Sequence, residues 1–224
     1  MKKIIFSLMA VLTVAAVDAQ IRRGNMITER TKFGVKAGLS ASNQTLEEYG
    51  SGIATYDTKA GIVAGVEAEI PVKNGWYIQP ELNYANMGTK SYERFVDDQT
   101  GEEKWGNIKY ANNYVQVPVL VKFRPIYSGF GIYAGPQLGI NVQARENPIG
   151  YDPVPTTDEY AKAEIAGVFG MEYYFPNADD RAPRFGLSAR YLHGFSNIYP
   201  QNSEKAASAS LRNSGFQITA GIRF

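Results

Sequence analysis

Five glutamates and four cations recur where neighbouring residues are small or apolar: Glu67, Glu69, Glu81, Glu164 and Glu172, with Lys36, Lys122, Arg190 and Arg223. Paired carboxylates can do general acid–base work. With Lys and Arg in similar number, mutual ion pairing is the simpler chemistry, and such pairs hold when shielded from water. The single histidine, His193, stands three residues before Ser196. A Ser–His couple could cleave an acyl ester, but an odd step along an extended strand points the two side chains to opposite faces. Acidic residues cluster at Asp97-Asp98 and Glu102-Glu103, with Asp152, Asp158 and Glu159 further on. Their spacing matches no calcium loop. Zinc spacing and a phosphate-binding glycine motif are missing too, so no metal or cofactor is expected. There is no cysteine, hence no disulfide staple and no lipid-modified N-terminus. The net charge of +1 argues against nucleic acid as a partner.

These side chains have to be held by strands. Residues 1–19 carry Lys2 and Lys3 before an apolar run from Ile4 to Val17 and close on Val17-Asp18-Ala19. That is the pattern of a signal peptide cleaved near Ala19, leaving a domain of residues 20–224. No later apolar stretch approaches the roughly 20 residues of a spanning helix. Alternation and turn signals predict eight strands, at about 32–40, 59–71, 76–87, 108–124, 130–142, 161–175, 183–196 and 212–224. Most reach the roughly 9–11 residues that cross a bilayer at a tilt. Short turns follow the even strands, at 72–75, 125–129 and 176–182. Long polar loops follow the odd ones, at 41–58, 88–107, 143–160 and 197–211. Such alternation is expected of an all-β, antiparallel, up-and-down transmembrane barrel.

Parity sorts two faces. One collects Phe33, Val35, Leu39, Ile62, Val66, the valines from Val115 to Val121, Phe169, Phe185 and Leu187; the other collects the ionised residues with Gln79, Gln116, Gln137 and Gln217. Gly34, Gly38, Gly61, Gly65, Gly135, Gly139, Gly186 and Gly221 share the charged face. A narrow lumen needs small residues and a solvated surface does not, so the charges belong inside. Eight strands leave just enough room for side chains, which predicts a charge-plugged, non-conducting interior. Pro80, Pro118 and Pro136 fall within neighbouring strands, where they cannot donate to a ladder; bulges or broken pairs are expected there. The chain closes on alternating Phe216, Ile218, Ile222 and Phe224, as a barrel-closing strand read by an assembly machinery would. Trp76 and Tyr173-Tyr174-Phe175 lie beside short turns, where interfacial girdles form.

The strings Asn113 to Phe123, Tyr77 to Leu82, Tyr133 to Gly139 and Gly215 to Phe224 resemble recurrent strands of the PorT-type outer-membrane β-barrel family. The resemblance implies an eight-stranded barrel in the bacterial outer membrane, without a family reaction; the namesake serves protein secretion, a role that would transfer by analogy alone. The function expected is structural or adhesive, or accessory to envelope transport. The partners expected are outer-membrane lipid and lipopolysaccharide, the barrel-assembly machinery through the last strand, and secretion-system or extracellular partners through the long loops. Two alternatives stand beside it. The segment around His193 and Ser196 resembles the motif of lipid A deacylases, which would make the chain an acyl hydrolase. A soluble lipocalin-like carrier would instead enclose an apolar cavity.

Overall fold

The structure, a computed structural model, describes residues 30–48, 52–96, 103–125, 128–147, 152–177, 182–200 and 203–224. The segment expected to be a signal peptide, and Asp97, Asp98 and Glu102, lie outside the described residues.

The elements run β1 (Lys32–Glu48), β2 (Gly52–Thr55), β3 (Asp57–Lys73), β4 (Trp76–Val96), β5 (Glu103–Phe123), β6 (Phe130–Asn147), β7 (Val154–Pro155), a 3-10 turn (Thr157–Glu159), β8 (Ala163–Tyr174), β9 (Arg184–Gly194), α1 (Glu204–Ser208) and β10 (Ala209–Arg223). Sequential neighbours pair antiparallel along β1-β3-β4-β5-β6-β8-β9-β10, and β10 pairs back onto β1. Eight strands therefore form a closed ring, with β2 and β7 as short additions to β1 and β6. Closure leaves the ring itself no free edge strand, which hydrocarbon demands because it offers backbone groups no partner. The seam runs in register from Gly34↔Arg223 to Glu48↔Ala209.

Side-chain alternation then sets the two surfaces. Phe33, Val35, Leu39, Ile62, Phe169, Phe185, Leu187, Phe216 and Ile218 are exposed on the outer wall. Lys36, Glu67, Glu69, Glu81, Lys122, Glu172, Arg190 and Arg223 are buried within the ring. A soluble barrel has the reverse arrangement. At one end the connections are tight. Asn74 and Gly75 both take positive φ, 53° and 83°, in the two-residue turn whose twist suits a hairpin. Trp76 packs on Phe123 at 5.1 Å and Tyr173 on Phe175 at 5.2 Å at this end, as a girdle would.

The other end differs from the expectation. Most of the residues assigned to long loops at 41–58, 88–107 and 143–160 continue as strand: β1 extends to Glu48, β4 to Val96, β5 starts at Glu103 and β6 reaches Asn147. β4 and β5 each have 21 residues, about twice what the hydrocarbon needs. Beyond the bilayer no lipid selects for apolar alternation, yet backbone pairing still stabilises the strands. Polar strand there reads as loop. In the last connection, 197–211, α1 precedes the start of β10.

At the prolines the ladder opens without changing register. Two pairs are missing between Glu67↔Glu81 and Ile70↔Ile78 at Pro80, two between Pro80↔Val119 and Asn83↔Gln116 at Pro118, and two between Pro118↔Gln137 and Val121↔Ala134 at Pro136. Each proline keeps its pairing on the opposite side: Pro80↔Val119, Pro118↔Gln137 and Pro136↔Gly167. These are broken pairs, not bulges, so the two faces stay in phase. The register shifts lie elsewhere, at Thr58/Val63, Pro71/Lys73 and Asn113/Tyr114.

Candidate functional site

The interior near the tight-turn end is an ion-pair network supplied by seven strands. Lys36 of β1 reaches Glu67 of β3 at 2.9 Å and Glu81 of β4 at 2.6 Å. Lys122 of β5 donates to Glu172 at 2.7 Å, to Gln79 at 2.8 Å and to Glu69. Arg190 of β9 grips Glu81 Oε2 and Gln217 Oε1, each at 2.7 Å. Arg223 of β10 is the hub. It meets Glu67 at 2.5 Å and Glu69 at 2.8 Å, donates to both oxygens of Glu172 at 2.7 and 2.8 Å, and stacks over the Tyr174 ring at 3.8 Å. The Tyr174 hydroxyl donates to Glu67 at 3.2 Å.

Every one of these charged side chains has less than a twentieth of its surface exposed. Burial of single ions at that depth would be prohibitive; mutual pairing with further hydrogen bonds is what makes it tolerable. The bidentate grip on Glu172 is the strongest geometry a guanidinium offers.

Of the nine residues singled out in the sequence, this network joins eight. Glu164 is the exception. It lies in β8 nearer the long-strand end and accepts from Asn213 Nδ2 at 2.5 Å. Arg124 is a participant that sequence reasoning missed. It reaches Glu69 at 3.1 Å and donates to the Tyr77 hydroxyl at 2.6 Å, with its guanidinium 4.5 Å from the Tyr77 ring centre. It stands just past the end of β5, but in phase with Lys122, and that phase was the available signal.

His193 and Ser196 have different partners. His193 stands exposed on the outer wall between the rings of Tyr191 and Phe195, with its Nδ1 3.5 Å from the Tyr191 hydroxyl. Ser196 Oγ instead accepts from the Ile165 backbone N–H at 2.8 Å. Phe216, Ile218 and Phe224 are more than half exposed on the outer wall, and Ile222 lies partly covered among them. Glu103 pairs with Arg94 at 2.9 Å, while Asp152, Asp158 and Glu159 are exposed. Among the described residues no group of three or more acidic or histidine side chains is placed to hold a metal.

Comparison with known proteins gives the family. No curated protein matches the chain. Among solved structures, Ail, the attachment invasion locus protein of Yersinia pestis, shares 16% identity over 88% of this chain and 100% of its own, at a TM-score of 0.45. Neisserial surface protein A shares 13% over 88% and 100%, at 0.48. OprG from Pseudomonas aeruginosa shares 10% over 86% and 95%, at 0.41. At those scores the likenesses carry nothing about activity. Residues 19–199, most of the chain, match the outer membrane protein beta-barrel domain. With its closed ring, apolar outer wall and ionised lumen, this chain belongs to the outer membrane protein beta-barrel domain family.

Proposed function

We propose that the protein is a non-conducting outer-membrane platform, whose interior is plugged by ion pairs and whose long strands present a binding surface outside the cell. The supporting observation is the continuous network from Lys36 through Glu67 and Arg223 to Glu172 and Lys122, which ties opposite walls of the ring together. An eight-stranded barrel has a lumen only wide enough for side chains, and these occupy it near the tight-turn end. A lipocalin-like carrier would need an apolar lining where these ion pairs stand.

The outward part of this reading rests on the β4–β5 ribbon. Beyond Lys90 and Lys109 these two strands pair, among the described residues, only with each other, as far as Val96↔Glu103. Tyr92 and Trp105 stack on it at 5.7 Å and are both about 60% exposed. Aromatic and Arg side chains are the usual anchors of protein interfaces. An adhesive role, or a PorT-type accessory role in secretion, would use this ribbon. Phe216, Ile218, Ile222 and Phe224 would present the closing strand to the assembly machinery.

Planar-bilayer recording of the purified barrel tests the plug. The expected outcome is no stable conductance at moderate voltage. A steady large conductance would overturn the reading.

A further inference from the structure

The outer wall changes character where β4 and β5 leave the apolar band. From Trp76 to Tyr84 on β4, and from Phe123 back to Val115 on β5, every outward residue is apolar or aromatic. Such a length of tilted strand covers roughly 20–25 Å, the height of that band. The next outward pair is Asn86↔Asn113, joined side chain to side chain at 2.5 Å, and Asn113 pairs on its other side with Gln143. This carboxamide belt marks the edge of the hydrocarbon.

Above the belt the outer face turns basic. Lys90 and Lys109 stand directly opposite each other, with the pair Gly88↔Ala111 between them and the belt. Arg145 is the cross-strand partner of Ala111 on β6. Lys109 and Arg145 are exposed and Lys90 half-buried, and among the described residues none of the three makes an ion pair. Asp57, opposite Lys90 on β3, is exposed and pairs with no cation either, while Glu103 is taken by Arg94. Lys59 donates to Asn86 Oδ1 and to the Met87 carbonyl, and the charges of Lys90 and Lys109 act on it too.

Like charges facing each other across a strand pair repel. An anion placed between them turns that repulsion into attraction. The Cβ atoms of Lys90 and Lys109 lie about 5 Å apart, and Arg145 is a diagonal neighbour of Lys109 at about 7–8 Å. Lys90 and Arg145 are two strands and two rungs apart, about 12 Å, a span that two long side chains close around one tetrahedral anion. Gly88 and Ala111 raise nothing larger than a methyl, which leaves the wall open beneath it.

We infer that Lys90, Lys109 and Arg145 bind the phosphate of an outer-leaflet lipid headgroup, seated over Gly88 and Ala111. Height and direction favour lipid over free phosphate. The headgroup layer adds about 5–8 Å to each side of the hydrocarbon. Arg145 sits about 5 Å above the carboxamide belt and the lysines about 10 Å, so the three cations bracket that layer. The patch also faces sideways and continues the apolar wall, where the chains of the same lipid lie against Tyr84 and Val115. With Asp57 its one carboxylate, the patch offers too few oxygens for a bridging divalent ion, so the contact is direct and charge-assisted. The inference rests on the outward half of the proposed reading, long strands rising from the membrane, and not on the plug.

Native mass spectrometry of the detergent-purified full chain, titrated with bisphosphorylated lipid A, tests this. One lipid per barrel is expected to bind most tightly, with the chelator EDTA making no difference. Lys90→Gln combined with Lys109→Gln, and Arg145→Gln alone, are each expected to weaken it by about tenfold or more. Lys73→Gln, an exposed cation at the tight-turn end, leaves it unchanged. Heat-modifiable gel mobility identifies the folded variants. Equal binding of the same lipid stripped of its phosphates overturns the proposal. So does an equal loss in Lys73→Gln, or displacement of the lipid by millimolar inorganic phosphate. Should the double variant fail to fold, Arg145→Gln decides, and unchanged affinity in it overturns the site.

Discussion

Arg223 carries more of the interior than any other side chain. It contacts Glu67, Glu69 and Glu172, donates to Gln79 at 3.2 Å and covers the Tyr174 ring. Among the described residues Lys36 holds only Glu67 and Glu81, and Arg223 and Arg190 still serve those two when it is gone. Arg223→Met is therefore expected to lower unfolding free energy by about 3–5 kcal/mol, the usual cost of stranding buried carboxylates. Lys36→Met should cost clearly less. Denaturant unfolding in micelles, followed by the fluorescence of Trp76 and Trp105, measures both. Arg223→Met combined with Glu172→Gln should cost less than the two single losses added, because the pair shares one contact. Strict additivity would mean that the two groups do not depend on each other.

At the scale of strands, the β1–β10 seam leaves least tolerance at Gly38. A Cβ there would lie 1.9 Å from the Ile218 carbonyl oxygen and 2.6 Å from Thr219 Cα, both backbone atoms that cannot swing aside. Gly38→Val is expected to abolish the heat-modifiable gel band, whereas the outward Leu39→Val leaves it intact. Much of this architecture was legible in the residues. Period-2 alternation places Val35 outward and Lys36 inward whatever the tertiary detail, and the glycines in phase with Lys36 reveal the crowded side. The far reaches of β4 and β5 were not legible, since Ser91 to Val96 and Glu103 to Ile108 pair outside hydrocarbon, where any polar residue serves. Nor was the isolation of Glu164: parity places it on the inner face with Glu172, but says nothing about height along the lumen. The prolines were read correctly as a weakness in the ladder, but sequence could not distinguish a bulge from paired residues simply drawn apart.

For the molecule as a whole, the proposed plug makes conduction depend on the ion-pair network. Lys122 and Arg223 both hold Glu69 and Glu172, at the centre of the lumen. Lys122→Ser combined with Arg223→Ser removes two long side chains and leaves like charges facing each other. That variant is expected to give brief openings in planar bilayers where the parent is silent; silence from a folded double variant would show that other side chains seal the lumen. The contacts of Arg223 also span great distances along the chain, since Glu67 and Glu69 lie 156 and 154 residues before it. A chain entering the membrane from its first strands thus carries glutamates whose main counter-ion arrives with β10. Until that moment they are held by water, by the lysines and, for Glu69, by Arg124. The last strand consequently delivers both the missing backbone edge and the missing charge. A ring closed without β10 in place would leave Glu67 and Glu69 facing the lumen without their main counter-ion.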